Sequence, residues 1–159
     1  MGGRGDNDGM TDRALALDVG SRRLGVAVSD PTGTIATPLV TVPRRGVAED
    51  ASTIGRLAAE HDAGVVVVGL PVSLSGNEGP AARAVRAYVD ELRELLPEIA
   101  FELADERLST VSAERVLVAG GVRRRARRDV VDQVAASVFL QAWLDARRGA
   151  AAADRRAER

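Results

Sequence analysis

The sequence predicts an α/β domain in which helices flank one mixed five-stranded sheet, three antiparallel strands followed by two parallel ones. Three observations predict it. Near the start, apolar residues alternate with small ones around two turns, the pattern of a strand meander. Further on, segments of helical spacing alternate with short apolar runs, as crossover connections between parallel strands require. A length of 159 residues with 45% hydrophobic side chains suits a single core.

Taken in order, Ala14–Val19 reads as a strand that enters a Gly20-Ser21-Arg22-Arg23 turn. Leu24–Ser29 returns antiparallel, with Leu24, Val26 and Val28 alternating against small residues. Asp30-Pro31-Thr32-Gly33 makes a second turn, and Ile35–Val42 is a third strand whose Pro38 suits an edge or a bulge. Ala48–His61 has helical spacing, with Ile54, Leu57 and Ala58 on one face. Val65–Val68 is a β-branched run suited to an inner strand buried on both faces.

After a loop over Leu70–Gly79, Pro80 opens a helix that carries Ala81, Ala84, Val85, Tyr88, Leu92 and Leu95 at helical intervals and ends by Pro97. Ala100–Ala104 is a short strand, and Ser109–Ala119 a helix stopped by Gly120-Gly121. An arginine-rich loop leads to a last helix from about Asp129 to Arg148, with an expected apolar stripe of Val131, Val134, Ala135, Val138 and Ala142. Residues 1–12, rich in Gly and Asp, and 149–159, rich in Ala and Arg, read as disordered tails around a folded domain of residues 13–148.

Composition excludes several classes. Without cysteine there are no disulfides and no thiolate metal sites. No apolar run reaches the roughly 20 residues of a membrane-spanning helix, and the N-terminus lacks the apolar core of a signal peptide. The expected location is the cytoplasm. All 22 basic residues are arginine, so a lysine-dependent phosphate loop is absent. Net charge is only −1, yet five arginines fall within residues 123–128, a local patch suited to phosphate.

Three carboxylates stand out. Asp18 interrupts an apolar strand just before a glycine, where burying a charge needs compensation; capping the turn would explain it equally well. Glu106 follows the strand Ala100–Ala104 and fits either a functional site or an ion pair with Arg107. Asp132 is expected in the first turn of the last helix, where the helix N-terminus alone would favour it. Topology can bring all three to one end of the sheet. Carboxylates converging without Cys or His form a hard-oxygen site for Mg²⁺ or Mn²⁺. Asp129 is either a fourth carboxylate or the cap of that helix. The only histidine, His61, falls at a helix end and reads as a solvated residue.

These residues lie in blocks that resemble the YqgF/RuvX family. Asp18-Val-Gly-Ser-Arg-Arg-Leu-Gly-Val-Ala-Val-Ser-Asp30 is similar to its N-terminal signature, and Ile35-Ala-Thr-Pro38 to its next element. Val68-Gly-Leu-Pro-Val-Ser-Leu-Ser-Gly-Asn-Glu-Gly-Pro80 resembles its central loop. Asp105-Glu-Arg-Leu-Ser-Thr110 resembles its third motif, and Val131-Asp-Gln-Val-Ala-Ala136, followed by Leu140-Gln141, its closing motif.

The resemblance implies an RNase H-like fold and a nuclease that matures the 5′ end of pre-16S rRNA, or resolves Holliday junctions. It carries the catalytic and metal-binding roles onto Asp18, Glu106 and Asp132. The expected cofactor is a pair of Mg²⁺ or Mn²⁺ ions that hold the scissile phosphate and activate water. Arg22, Arg23, Asn77, Arg107, Arg123, Arg124 and Arg125 are the candidate substrate contacts. Arg127 and Arg128 keep the basic character common before the last carboxylate, and Asp129 departs from it.

The implied partners are structured nucleic acid, precursor rRNA or branched DNA, and ribosomal precursor particles, with the protein a monomer or a homodimer. Two other readings compete. The Asp-Val-Gly-Ser turn is similar to the phosphate-binding turn of actin-type and sugar-kinase ATPases, which need two such domains where one is expected here. A non-catalytic RNA-binding module could keep the fold, but the full carboxylate set argues for catalysis.

Overall fold

The computed structural model describes residues 13–73, 75–105 and 124–159. Along the chain they form β1 (Ala14–Val19), β2 (Arg23–Ser29), β3 (Ala36–Pro43), α1 (Val47–Glu60), β4 (Val65–Leu70), α2 (Pro80–Leu95), β5 (Ala100–Asp105) and α3 (Arg124–Ala157). Among the described residues the strands make one sheet in the order β3-β2-β1-β4-β5. β1 pairs antiparallel with β2 and parallel with β4, and β5 continues parallel on β4. This is the mixed sheet expected of an RNase H-like domain. The expected Ser109–Ala119 helix lies outside the described residues.

Strand alternation sorts side chains onto two differently built faces. Leu15 and Leu17 of β1, Leu24 and Val26 of β2, and Val66 and Val68 of β4 are fully buried against Ile54 of α1 and Val89 and Leu92 of α2. Each such side chain contributes about 1.5–3 kcal/mol by leaving water. The other face is lined by Ala14, Ala16, Ala27 and Val67, and α3 lies on it through Ala136, Phe139, Leu140 and Leu144. Small residues on the sheet and large ones on the helix let α3 come close without leaving voids.

Pro38 behaves as its chemistry requires. β3 is an edge strand, and its register against β2 jumps from Val40 opposite Val26 to Pro38 opposite Ala27, leaving one residue bulged.

α3 departs from expectation in three ways. It begins at Arg124, so Arg124–Arg128 are helical and not a loop. Arginine and alanine are strong helix formers, which removes the reason to end the helix at Asp129. Its buried face is rotated from the expected stripe: Ala135 is buried as expected, but Ala142 is exposed and Val131, Val134 and Val138 are half-buried, while Phe139, Leu140 and Leu144 are buried. The larger side chains win because they bury more apolar surface. Finally, the helix runs on to Ala157, where a disordered tail was expected; the four consecutive alanines Ala150–Ala153 carry the highest helix propensity.

Gln141 ties α3 to the sheet edge. Its Nε2 donates to the Thr34 carbonyl at 2.9 Å, and its Oε1 accepts from the Ala36 amide at 2.9 Å. Asp30 organises the preceding turn by accepting the amides of Thr34 and Ile35 at 2.8 Å each.

Candidate active site

β1 and β2 place Asp18 directly opposite Gly25. Directly paired residues share a face, and alternation puts both on the α3 side, with Ala14, Ala16 and Ala27. At Gly25 the backbone of α3 comes close to the sheet. A Cβ added there would lie 2.2 Å from the Asp132 carbonyl oxygen and 2.7 Å from its Cβ. Only glycine permits that approach. Asp18 and Asp132 are therefore gathered about one glycine, the first as its strand partner and the second as the helix residue seated on it.

Both carboxylates are half-buried. Asp132 faces Arg23, whose Nε stands 3.7 Å from Asp132 Oδ2, with the two side chains 38% and 23% exposed. At that distance the pair is electrostatic and not a hydrogen bond, and partial exposure screens it. An open cleft of about 580 Å³ lies here, lined by Gly20, Ser21, Arg22, Arg23 and Asp132.

The start of α3 changes the meaning of two residues. Asp132 is the ninth residue of the helix, not a first-turn residue, so the helix N-terminus no longer accounts for its charge. Asp129 lies within the helix and is not its cap.

Glu106, Arg107 and Arg123 lie outside the described residues. β5 ends at Asp105, opposite Leu70 of β4, so the strand leading to Glu106 is separated from β1 by β4 and is not its direct neighbour. Among the described residues no three carboxylate or imidazole groups cluster. Arg22 is exposed beside the cleft. Arg124 and Arg125 fall in the first turn of α3. Asn77 is exposed in the loop before α2, where its backbone closes a turn with Ser73.

Sequence reasoning missed Gly25, although an isolated glycine inside a strand signals close backbone approach. It also missed the support behind the turn. Arg44 donates from Nη1 to the Gly20 carbonyl at 2.8 Å and from its backbone amide to the Arg22 carbonyl at 2.9 Å. Nothing in the residue pattern around Arg44 foretells this.

Comparison with known proteins places the chain. The family model described as "RuvX: Holliday junction resolvase" matches residues 12–146. A Nocardia farcinica protein named "Putative pre-16S rRNA nuclease" is 50% identical over 141 residues, covering 85% of this chain and 78% of its own length. A Myxococcus xanthus protein of the same name is 46% identical over 136 residues, covering 86% and 89%. Among solved structures, Thermus thermophilus RuvC in complex with a Holliday junction substrate superposes with a TM-score of 0.55 at 15% identity, covering 86% of this chain and 96% of that one. At that identity the likeness speaks for the fold alone. No described helix is long and apolar enough to cross a membrane. With a family model spanning most of its length and relatives at half identity, the chain belongs to the RuvX family, RNase H-like nucleases that process nucleic acid.

Proposed function

We propose that this protein hydrolyses phosphodiester bonds in precursor 16S rRNA, at the 5′ end, with Asp18, Asp132 and Glu106 as its catalytic carboxylates. The observation that carries the reading is the gathering of Asp18 and Asp132 about Gly25 beside an arginine-lined cleft. The names of the curated relatives support the RNA substrate.

RNase H-like nucleases work with divalent cations. The residues present fit such a cation: two carboxylates about Gly25 on one face, in a chain without cysteine and with its only histidine in α1's C-cap. Asp18, Asp132 and Glu106 would hold Mg²⁺ or Mn²⁺, two ions in our reading, which supply Lewis-acid stabilisation of the phosphate and a deprotonated water. The chain's own residues do the rest. Arg22 and Arg23 draw the phosphodiester into the cleft, since a guanidinium binds phosphate through paired donors. Arg23 also offsets the charge of Asp132 before substrate arrives. The α3 arginines, Arg124 and Arg125, with Arg107, Arg123 and Asn77, extend the contact along the strand.

A second reading, resolution of Holliday junctions, is favoured by the description of the matching family model. A resolvase acts on two strands of a symmetric substrate and so works as a dimer. Purified protein with Mg²⁺ or Mn²⁺ should be offered pre-16S 5′-end RNA and four-way DNA junctions side by side. Our reading expects RNA cleavage that Asp18→Asn abolishes. Cleavage of the junction alone would reverse the ranking, and cleavage of neither would remove both.

A further inference from the structure

On the α1–α2 side of the Gly20–Arg23 turn, away from the cleft, a chain of contacts runs from the core to the turn. Asp50 is 2% exposed; its Oδ1 accepts the Arg45 amide at 2.9 Å and its Oδ2 accepts the Tyr88 hydroxyl at 2.7 Å. This satisfies a buried carboxylate and locks the Tyr88 ring, which is itself 7% exposed. The Arg44 guanidinium sits over that ring, 4.7 Å from its centroid, a cation–π distance.

From this seat Arg44 reaches both sides of the turn, by its side chain to Gly20 and by its backbone to Arg22. The turn is closed by the Gly20 amide donating to the Arg23 carbonyl at 2.8 Å. Arg22 and Arg23, the basic residues of the cleft, are thus mounted on a turn held from behind.

We propose that Arg44 is a positioning residue for the cleft: seated on Tyr88, its guanidinium fixes the turn so that Arg22 and Arg23 present their charges to the substrate phosphate. This rests on the nuclease reading above. The backbone bond from Arg44 to Arg22 does not involve the side chain, so it is kept when the residue becomes alanine or lysine. What depends on the guanidinium is the Gly20 side of the turn.

The test uses full-length protein, pre-16S 5′-end RNA and Mn²⁺. Arg44→Ala should raise KM about tenfold while kcat stays within about twofold, because misplaced binding groups weaken capture more than chemistry. Arg44→Lys, whose ammonium can still donate to Gly20, should recover most of the loss. Val89→Ala, a buried α2 substitution that alters neither Arg44 nor the turn residues, serves as the destabilised control and should lower Tm without moving KM.

Hydrogen exchange over residues 20–23 should be faster in Arg44→Ala than in Val89→Ala, a readout that needs no cleavage. A KM shift equal to the control's, or unchanged exchange, would overturn the proposal while leaving the nuclease reading intact. A wild type that cuts no RNA but shows the exchange difference would sink the nuclease reading and uphold Arg44's hold on the turn.

Discussion

The backbone of Asp132 rests on Gly25, so closely that a methyl group there would lie 2.2 Å from the Asp132 carbonyl oxygen. The strand residue paired with Gly25 is Asp18. The spacing of the two catalytic candidates thus hangs on a residue with no side chain.

Gly25→Ala should therefore act on activity and stability together. The methyl group meets backbone, which cannot swing aside, so α3 must lift or tilt. Overpacking of this kind costs about 1–3 kcal/mol. Chemical denaturation should show that loss, and RNA cleavage should fall by at least tenfold at temperatures where the variant remains folded. An active, fully stable Gly25→Ala protein would show that α3 does not set the site.

Asp18→Asn and Asp132→Asn should abolish cleavage at little cost in stability. The Arg23–Asp132 pair, 3.7 Å apart and partly exposed, is worth about 0–1 kcal/mol. In metal-free buffer, Tm should stay within a few degrees of wild type or rise slightly, as the like charge of the cluster is reduced. Mg²⁺ or Mn²⁺ should raise the wild-type Tm by mass action and raise that of either variant much less. A destabilised but active Asp132→Asn protein would remove that residue from the site.

The arginine run should reveal itself through salt. Replacing Arg123, Arg124 and Arg125 together by alanine should weaken RNA binding and flatten the slope of log affinity against log salt, because each phosphate contact releases counterions. Alanine keeps the helix propensity of the α3 start, so far-ultraviolet circular dichroism should be unchanged. An unaltered slope would make the run a bystander.

Tyr88 supplies a pH probe, since it is the only tyrosine. Burial first, and the hydrogen bond to Asp50 second, push its phenol well above the ordinary tyrosine range. Its pKa is raised in the folded state, so the associated stability is present below about pH 10, the unfolded value, and declines as pH rises beyond it. Tyrosinate absorbance should be missing in folded protein at pH 11 and appear together with unfolding. A phenol titrating near pH 10 in folded protein would contradict the Tyr88–Asp50 contact.

Most of the sheet was legible in the sequence because period-two alternation survives wherever one face is buried. Leu15, Leu17, Leu24 and Val26 declared the α1–α2 face, and Pro38 declared the edge and its bulge. The α3 face was harder to read. Its sheet residues are mostly alanine and glycine, which carry little hydrophobic signal, and of the expected helix stripe only Ala135 is buried beside Phe139, Leu140 and Leu144. Asp18 could be picked out because a charge in an apolar strand is costly. That topology could bring Asp132 to the same end was legible too; how low α3 rides there was not, because tertiary packing over Gly25 sets it. Arg44 was invisible for a similar reason: its partners Gly20 and Tyr88 are distant in sequence and meet only when α2 closes on the sheet.

Gln141 and Asp132 lie nine residues apart on one continuous helix, one clamped to the Thr34–Ala36 edge and the other seated on Gly25. An α-helix turns by about 100° and rises about 1.5 Å per residue. A single insertion or deletion between them would swing one anchor to a different side of the helix while the other stayed in place. This interval consequently works as a caliper of set length. Lengthening is tolerable beyond Leu144, where α3 leaves the core and stays exposed, but between the two anchors the chain has no slack to give.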